Sequence, residues 1–551
     1  TWVKGSHVFK FGTSSRFVRI LNFNDAGIIP QFSVGFNTTT NPTPLSTGQF
    51  PGGISATQFT TANSLLGLLT GAVNSVSETF NVADRTTGFT RKFGSERFLD
   101  YNTFALYAAD TWRIRPNLSL NLGLRWEYIG PLTERNGLGL MPQDLTLGVL
   151  NNPNAVLDFA GKGTGRDFLA RDLDNFAPNF SFAWDPFKDG KTSVRGGFSI
   201  AYAIDNNATV LNNASVGGNA GLQSTATIST LTGTVSGGGI ITVPIPAFKV
   251  PRTLVDQLTL SQTPTLFTTE YNLKTPYAEQ WNIGIEREVM KDTALSVGYV
   301  GNRGVQLTRG LDTNQVLIFQ NGFFQDFLRA QSNLANFGNP ACTAAQAAAT
   351  GCQVLTIFPR LGNGGNLGNA TIRTLIQQGQ VGELVSNYVS QRNTFFNTAQ
   401  PCVQGATGAL CPSFFLPANG NAFVTDYIGS SGWSNYHGLQ AEIRRRFTGG
   451  YYYQVNYTWS KAFTNAEQAQ AEFSPYLDNT VGDAWEKKRL NQDVQHVLKG
   501  NFVYELPIGP GKRFLNRGGA SGKFLGGWQI SGIAQFRTGR PISFISGRGT
   551  L

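Results

Sequence analysis

The chain has no apolar run approaching the roughly 20 residues that a membrane-spanning helix requires, and its mean hydropathy is −0.15. Charge is also scarce. Asp, Glu, Lys and Arg make up 14% of residues, against about 25% in an average soluble domain. The first lack excludes a helical membrane protein, and the second fits poorly with a water-facing surface. There are only three histidines, His7, His437 and His496, far apart and without HExxH spacing; they are expected to face solvent or a lumen. The chain also lacks a GxSxG elbow, a P-loop and a dinucleotide fingerprint. Gly196-Gly197 and Gly237 to Gly239 are isolated glycine clusters, read as strand relief and loop flexibility. No pair of acidic residues is brought together by spacing. No catalytic residue, metal ligand or cofactor site is therefore assigned, and the chain is not expected to be an enzyme.

The four cysteines fall within one irregular region, Cys342 with Cys352 and Cys402 with Cys411. Neither pair is CxxC and no histidine lies near them, which argues against zinc. Two close pairs suggest two small disulfide-closed loops in an oxidising compartment, with four free thiols as the alternative. The net charge of +10 admits nucleic acid as a partner, but the basic residues are scattered. The dense clusters are Arg444 to Arg446 and Glu486 to Arg489, with no recognition helix or zinc spacing beside them. Nucleic acid is not expected. Facing anionic lipid headgroups or an anionic solute is the better use of this charge.

What the chain has in quantity is alternation. In NLSLNLGLRWEY, residues 117–128, every even position is apolar (Leu118 to Tyr128) and every odd one is polar or glycine. A period of two means a strand with one apolar and one wet face. Phe104 to Ile114 alternates likewise, and Arg115-Pro116 makes a tight break, so the two form a hairpin. Further hairpins are read at 180–202, 281–299 and 439–459, and a last pair of strands at 498–506 and 528–536. Ala62 to Val73 is the one short helix expected, packed at the end of the structure.

The connections alternate too. Short turns follow Ile114, Asp185, Val289 and Phe447, and long excursions cover about 131–174, 205–270, 312–432 and 461–492. Outer-membrane barrels sort short periplasmic turns from long external loops in this way. A soluble two-sheet protein has no reason to do so, and would need the Trp126 and Trp459 faces buried by protein. The fold class expected is all-β, a transmembrane antiparallel β-barrel. Trp112, Trp126, Tyr128, Trp281, Trp459 and Trp528 are candidate interface aromatics. If the Trp and Leu face is outward, the lumen wall carries Arg125, Glu127, Arg195, Glu286, Glu288, Glu442, Arg444 and Arg446.

Five segments extend this reading: YNTFALYAADTWRIRPNLSLNLGLRWEY (101–128), NFAPNFSFAWDPFKDGKTSVRGGFSIAY (175–202), TPYAEQWNIGIEREVMKDTALSVGYVGNRGVQL (275–307), SNYHGLQAEIRRRFTGGYYYQVNYTWSKAF (434–463) and GGWQISGIAQFRTGRPISF (526–544). Together they resemble the barrel of Oar-like TonB-dependent receptors. The resemblance implies an active transporter in the outer membrane of a Gram-negative-type bacterium, with a barrel of about 22 strands around a luminal plug. It further implies that the plug contacts the wall charges, that the TonB energy-coupling complex acts through the plug, and that the long external loops select a solute the sequence does not name. Residues 1–551 are expected to be part of such a barrel, without the plug, the N-terminal carboxypeptidase-regulatory-like domain and the last strands. A surface adhesion or secretion-related protein and a passive porin-like channel are the alternatives.

Overall fold

A computed structural model describes residues 1–37, 41–146, 148–152, 154–203, 222–229, 231, 242–257, 265–390, 415, 424–466 and 487–542. Its main feature is one wall of twelve consecutive strands. In chain order these are β1 (Trp2–Lys4), β2 (His7–Asn24), β3 (Ser95–Arg115), β4 (Leu118–Ile129), β5 (Phe176–Trp184) and β6 (Thr192–Tyr202). They continue as β7 (Tyr277–Met290), β8 (Thr293–Asp312), β9 (Val424–Thr448), β10 (Tyr451–Thr464), β11 (His496–Glu505) and β12 (Gln529–Arg537). Each pairs antiparallel with the next, an up-and-down meander. Among the described residues β1 and β12 do not pair with each other.

Local chemistry explains the short connections. At Thr448 to Tyr451 the two central residues, Gly449 and Gly450, take φ of 66° and 87°, a left-handed pair that matches the twist of a two-residue hairpin. The expected long loop over 312–432 ends sooner, because β9 begins at Val424 and pairs with the upper part of β8 through two register shifts. Likewise β10 runs to Thr464, inside the expected loop at 461.

Register sorts the side chains into two faces. Trp126 lies opposite both Leu106 and Phe176, Leu122 opposite Phe180, and Leu118 opposite Trp184. The row continues through Val194, Ile285, Val297 and Ala441 to Tyr457. On this face Leu124 is 50% exposed, Ile283 54% and Trp459 51%. No second sheet covers these residues among those described, and an apolar surface of this breadth belongs against lipid. Large rings lie flat over glycines of the neighbouring strand: a Cβ on Gly301 would come within 2.2 Å of the Trp281 ring, and one on Gly196 within 2.6 Å of Phe182.

The long connections after β2, β4, β6 and β8 leave the end opposite the short turns, and their described residues are folded, whereas 506–528 joins β11 to β12 at the short-turn end. Helix α1 (Ala56–Thr70) is longer than the expected Ala62 to Val73, and Val73–Val82 is a strand. That strand belongs to a small sheet outside the wall. It pairs with Gln31–Val34 and with Gln223–Ile228, while Val156–Ala160 pairs with Gly139–Pro142 and Arg252–Thr253. Three separate excursions thus share one core, which includes Val76, Phe80, Leu140, Leu157, Leu222 and Val243.

The excursion after β8 carries a helical lobe: α2 (Phe323–Phe337), α3 (Ala344–Thr350), α4 (Ala370–Gln377) and α5 (Val381–Ser390). Its core gathers Phe323, Phe327, Phe358, Ile376, Leu384 and Tyr388. Cys342 and Cys352 form a disulfide across α3, with Cα atoms 6.1 Å apart; Cys402 and Cys411 lie outside the described residues.

Candidate functional site: the inward wall and its external cap

The face opposite the apolar one is small and polar. One row crosses seven strands as Ser193, Glu286, Ser296, Glu442, Asn456, Lys499 and Gln535, and the next reads Arg195, Gly284, Gly298, Gln440 and Thr458. Farther along the wall the same face carries Asn121, Gly123, Arg125 and Glu127, opposite Thr111, Ala109, Tyr107 and Ala105. Glycine, serine and alanine between the long side chains leave gaps where a body filling the lumen can approach the backbone.

Seven of the eight wall charges fall on this face by register. Arg125 and Glu127, two residues apart, form an ion pair. The Arg195 guanidinium donates to Ser193 Oγ at 3.0 Å. Glu442 accepts from Gln454 Nε2 at 3.1 Å, and Gln454 in turn accepts from the Tyr452 hydroxyl at 3.0 Å. Arg444 stands opposite Ala294 and Gln454. Glu286 sits in the polar row, whereas Glu288 accepts from the Asp292 amide at 3.1 Å and serves the short turn. Arg446 falls in the register shift between Arg445 and Thr448 and is not assigned with the others.

Of these charges Glu442 alone lines a concavity of about 730 Å³, together with Ser296, Gln440, Asn456, Thr458 and Lys499. The segment Leu490 to Val494 covers one side of it. That segment is fixed by Asp493, which accepts from the Ala462 amide at 3.1 Å and from Arg489 at 2.6 Å. Lys499 was missed by the sequence reading, although its place between Leu498 and Gly500 puts it opposite the apolar face. The site is polar, of mixed charge and without a metal cluster among the described residues. It is suited to hydrogen-bonded contact with a protein surface or a polar solute.

The aromatic candidates divide into two levels. Trp126, Tyr128, Trp281 and Trp459 lie on the loop side, and Trp112 and Trp528 near the short turns, where Trp184 joins them. Leu118, the partner of Trp184, is eight residues from Trp126, roughly 27 Å at about 3.4 Å per residue. On strands tilted by about 40° that is roughly 21 Å of height, close to an apolar band of about 25 Å. Trp126 Nε1 donates to the Leu173 carbonyl at 2.8 Å, and Trp528 Nε1 to that of Phe524 at 2.9 Å.

The histidines correct an expectation. All three stand on the apolar face rather than in the lumen: His7 opposite Trp112, His437 opposite Gly301, and His496 opposite Trp459. Each imidazole is satisfied by a near neighbour on that face, Asp110 at 2.7 Å, Tyr299 at 2.6 Å and Tyr457 at 2.8 Å respectively. A bonded ring beside aromatic side chains tolerates an interfacial position.

Above the wall the excursions are tied to the strands. Lys274 Nζ lies 3.1 Å from Asp172 and 3.0 Å from Asp174, and the hydrogen bonds to Asp174 and Asp172 raise its pKa above the ordinary lysine value. The Thr275 amide donates to Asp172 at 3.0 Å. Two excursions are thereby clamped where they rejoin β5 and β7.

Comparison with known proteins agrees with this geometry. Residues 1–550 match the family described as outer membrane beta barrel domain. No curated protein matches the chain. Similar solved structures include the outer membrane transporter YddB from Escherichia coli, with 10% identity and a TM-score of 0.32, covering 78% of this chain and 45% of that one. The ferripyoverdine receptor of the outer membrane of Pseudomonas aeruginosa has 10% identity and a TM-score of 0.28, over 79% of this chain and 33% of that one. The siderophore receptor PiuA from Acinetobacter baumannii has 9% identity and a TM-score of 0.29, over 78% and 39%. The chain thus spans less than half the length of each, and the family rests on the match over residues 1–550. This chain belongs to the outer membrane β-barrel domain family, and its place is the outer membrane.

Proposed function

We propose that the chain forms the barrel wall of a TonB-dependent outer-membrane receptor, which binds a solute on its outer side for energy-coupled uptake. The observation that carries this reading is the inward face: seven expected charges and their small polar neighbours share one side of a continuous meander, beneath an ordered external cap. A wall of this texture suits a plug from the same full-length protein, with Arg125, Glu127, Arg195, Glu286, Glu442 and Arg444 as its polar contacts. Glu288 and Arg446 act nearer the short turns. We take the twelve strands as part of a larger closed wall, about 22 strands in receptors of this kind, since an open sheet edge in lipid leaves backbone groups unpaired. The TonB complex acts on the plug, the lipid on the apolar face, and nucleic acid has no part. The step is conformational, so no catalytic residue is assigned.

The test is growth of a strain deleted for the full-length gene on iron chelates, peptides and glycans, with and without a working energy-coupling complex. Loss of one solute, reproduced by disabling the coupling complex, is the expected result and names the substrate class. Normal uptake of every solute with altered adhesion or secretion would instead assign the cap and helical lobe to a surface role. Uptake that persists without the coupling complex would assign a passive pore.

A further inference from the structure

The apolar face carries one strongly basic patch, immediately above the loop-side aromatic level. Lys461 lies opposite His437, Phe463 opposite Asn435, and Arg303 opposite Asn435 on its other side. Two ammonium groups converge on one ring: Lys461 Nζ is 5.0 Å and Lys487 Nζ 4.9 Å from the Phe463 centroid. Among the described residues neither lysine makes an ion pair. Arg303 is 59% exposed and has one carboxylate nearby, Glu279 at 3.8 Å. Arg489, also opposite Phe463, is engaged with Asp493.

Among the described residues three cations thus face outward against one carboxylate, at the level where an apolar band ends and headgroups begin. Two like charges held over the same ring repel each other unless an anion lies between them or close by. Cation–π contact alone contributes only about 0.5–1 kcal/mol at an exposed site. The chain sits in the outer membrane, so the group adjoining this patch is a lipid headgroup.

We propose that Lys461, Lys487 and Arg303 form a binding site for the phosphate of an anionic lipid of the outer leaflet, with its acyl chains on the Trp281 and Trp459 face and Asn435 and His437 as further polar contacts. The site is on the lipid side of the wall and is independent of any solute in the lumen. It holds whether the barrel imports, adheres or conducts.

The test uses the protein purified from outer membranes in mild detergent, with bound lipid read by native mass spectrometry. The added probe is a phosphorylated glycolipid or its enzymatically dephosphorylated form. The wild type is expected to retain the phosphorylated lipid, and Lys461→Gln/Lys487→Gln to bind it roughly 25-fold more weakly, about fivefold per surface charge. The dephosphorylated form should bind the wild type as weakly as the variant binds the phosphorylated one, a control that needs no mutation. Equal retention by wild type and variant, or equal binding of the two lipid forms, would overturn the site. Displacement of the lipid by millimolar inorganic phosphate would assign the patch to soluble anions and overturn the lipid assignment.

Discussion

Replacing Asp326 with alanine is expected to unfold the helical lobe while leaving the wall intact. Asp326 lies in the first turn of α2 with no exposed surface. Its carboxylate accepts from the amides of Thr356, Ile357 and Phe358 at 2.9, 2.7 and 3.0 Å, and Arg329 lies 3.3 Å away. It therefore fixes the connection between Leu355 and Leu361 to the helix, and with it the Phe358 ring, tilted against Phe323 with centroids 5.1 Å apart. Alanine would leave three amides without acceptors, two of them on residues packed in the lobe core. At about 1–3 kcal/mol for each buried group left unpaired, three amides put the loss at about 3–9 kcal/mol, as much as a lobe of this size has. Hydrogen exchange should show protection over 323–390 falling by a hundredfold or more, with the amides of β9 and β10 unchanged. Asp326→Asn, which keeps one acceptor oxygen, should fall between. Unchanged protection in the alanine variant would show that the lobe is held by its apolar core alone.

The second large effect is expected at Arg91. Its guanidinium donates to Glu78 and to the Val243 carbonyl and lies 5.2 Å from the Phe80 ring centre. Glu78 is fully buried in the strand Val73–Val82, opposite Ala226. Arg91→Ala strands a carboxylate in the core shared by three excursions, which costs about 3–5 kcal/mol for a broken buried pair. The external cap should open, with faster exchange over 73–82 and 223–228 together, because among the described residues 223–228 pairs only with 73–82, which has the shorter Gln31–Val34 on its other side. Glu78→Leu with Arg91→Met removes both charges at similar volume, and should restore most of the protection. If the single variant exchanged like the wild type, the pair would have no role in holding the excursions together.

These two positions also show where the sequence was readable. The wall strands were legible because lipid on one side and polar surroundings on the other impose a period of two, and the charges from Arg125 to Arg444 follow it. The histidines obey the same parity, His7 with Phe9, His437 with Leu439 and His496 with Leu498. They were misplaced because polarity was given more weight than position. The helical lobe carried its own signal in Phe323, Phe327, Ala330 and Leu334, spaced as one helix face. Asp326 beside that stripe reads as a solvated charge until the chain at Thr356 to Phe358 is seen to fold over it.

The cap was not legible for a different reason. Thr79 bonds Thr225 across 146 residues, and Val156–Ala160 finds its partners on either side, at 139–142 and 252–253. Gly139–Pro142 and Val156–Ala160 are only four and five residues long and expose neither face, so no period of two marks them, and the stretches 131–174 and 205–270 read as loops.

The claim on which the account rests is that one face of the wall meets lipid and the other does not. A spin-label scan of single cysteines at residues 118–125, in the protein reconstituted in bilayers, tests it directly, with oxygen as the lipid-soluble relaxant and a nickel chelate as the aqueous one. Labels at 118, 120, 122 and 124 should be relaxed by oxygen, and those at 119, 121, 123 and 125 should not, giving a clean period of two. Equal access of the nickel chelate to the even positions, or no alternation at all, would contradict a membrane-spanning wall.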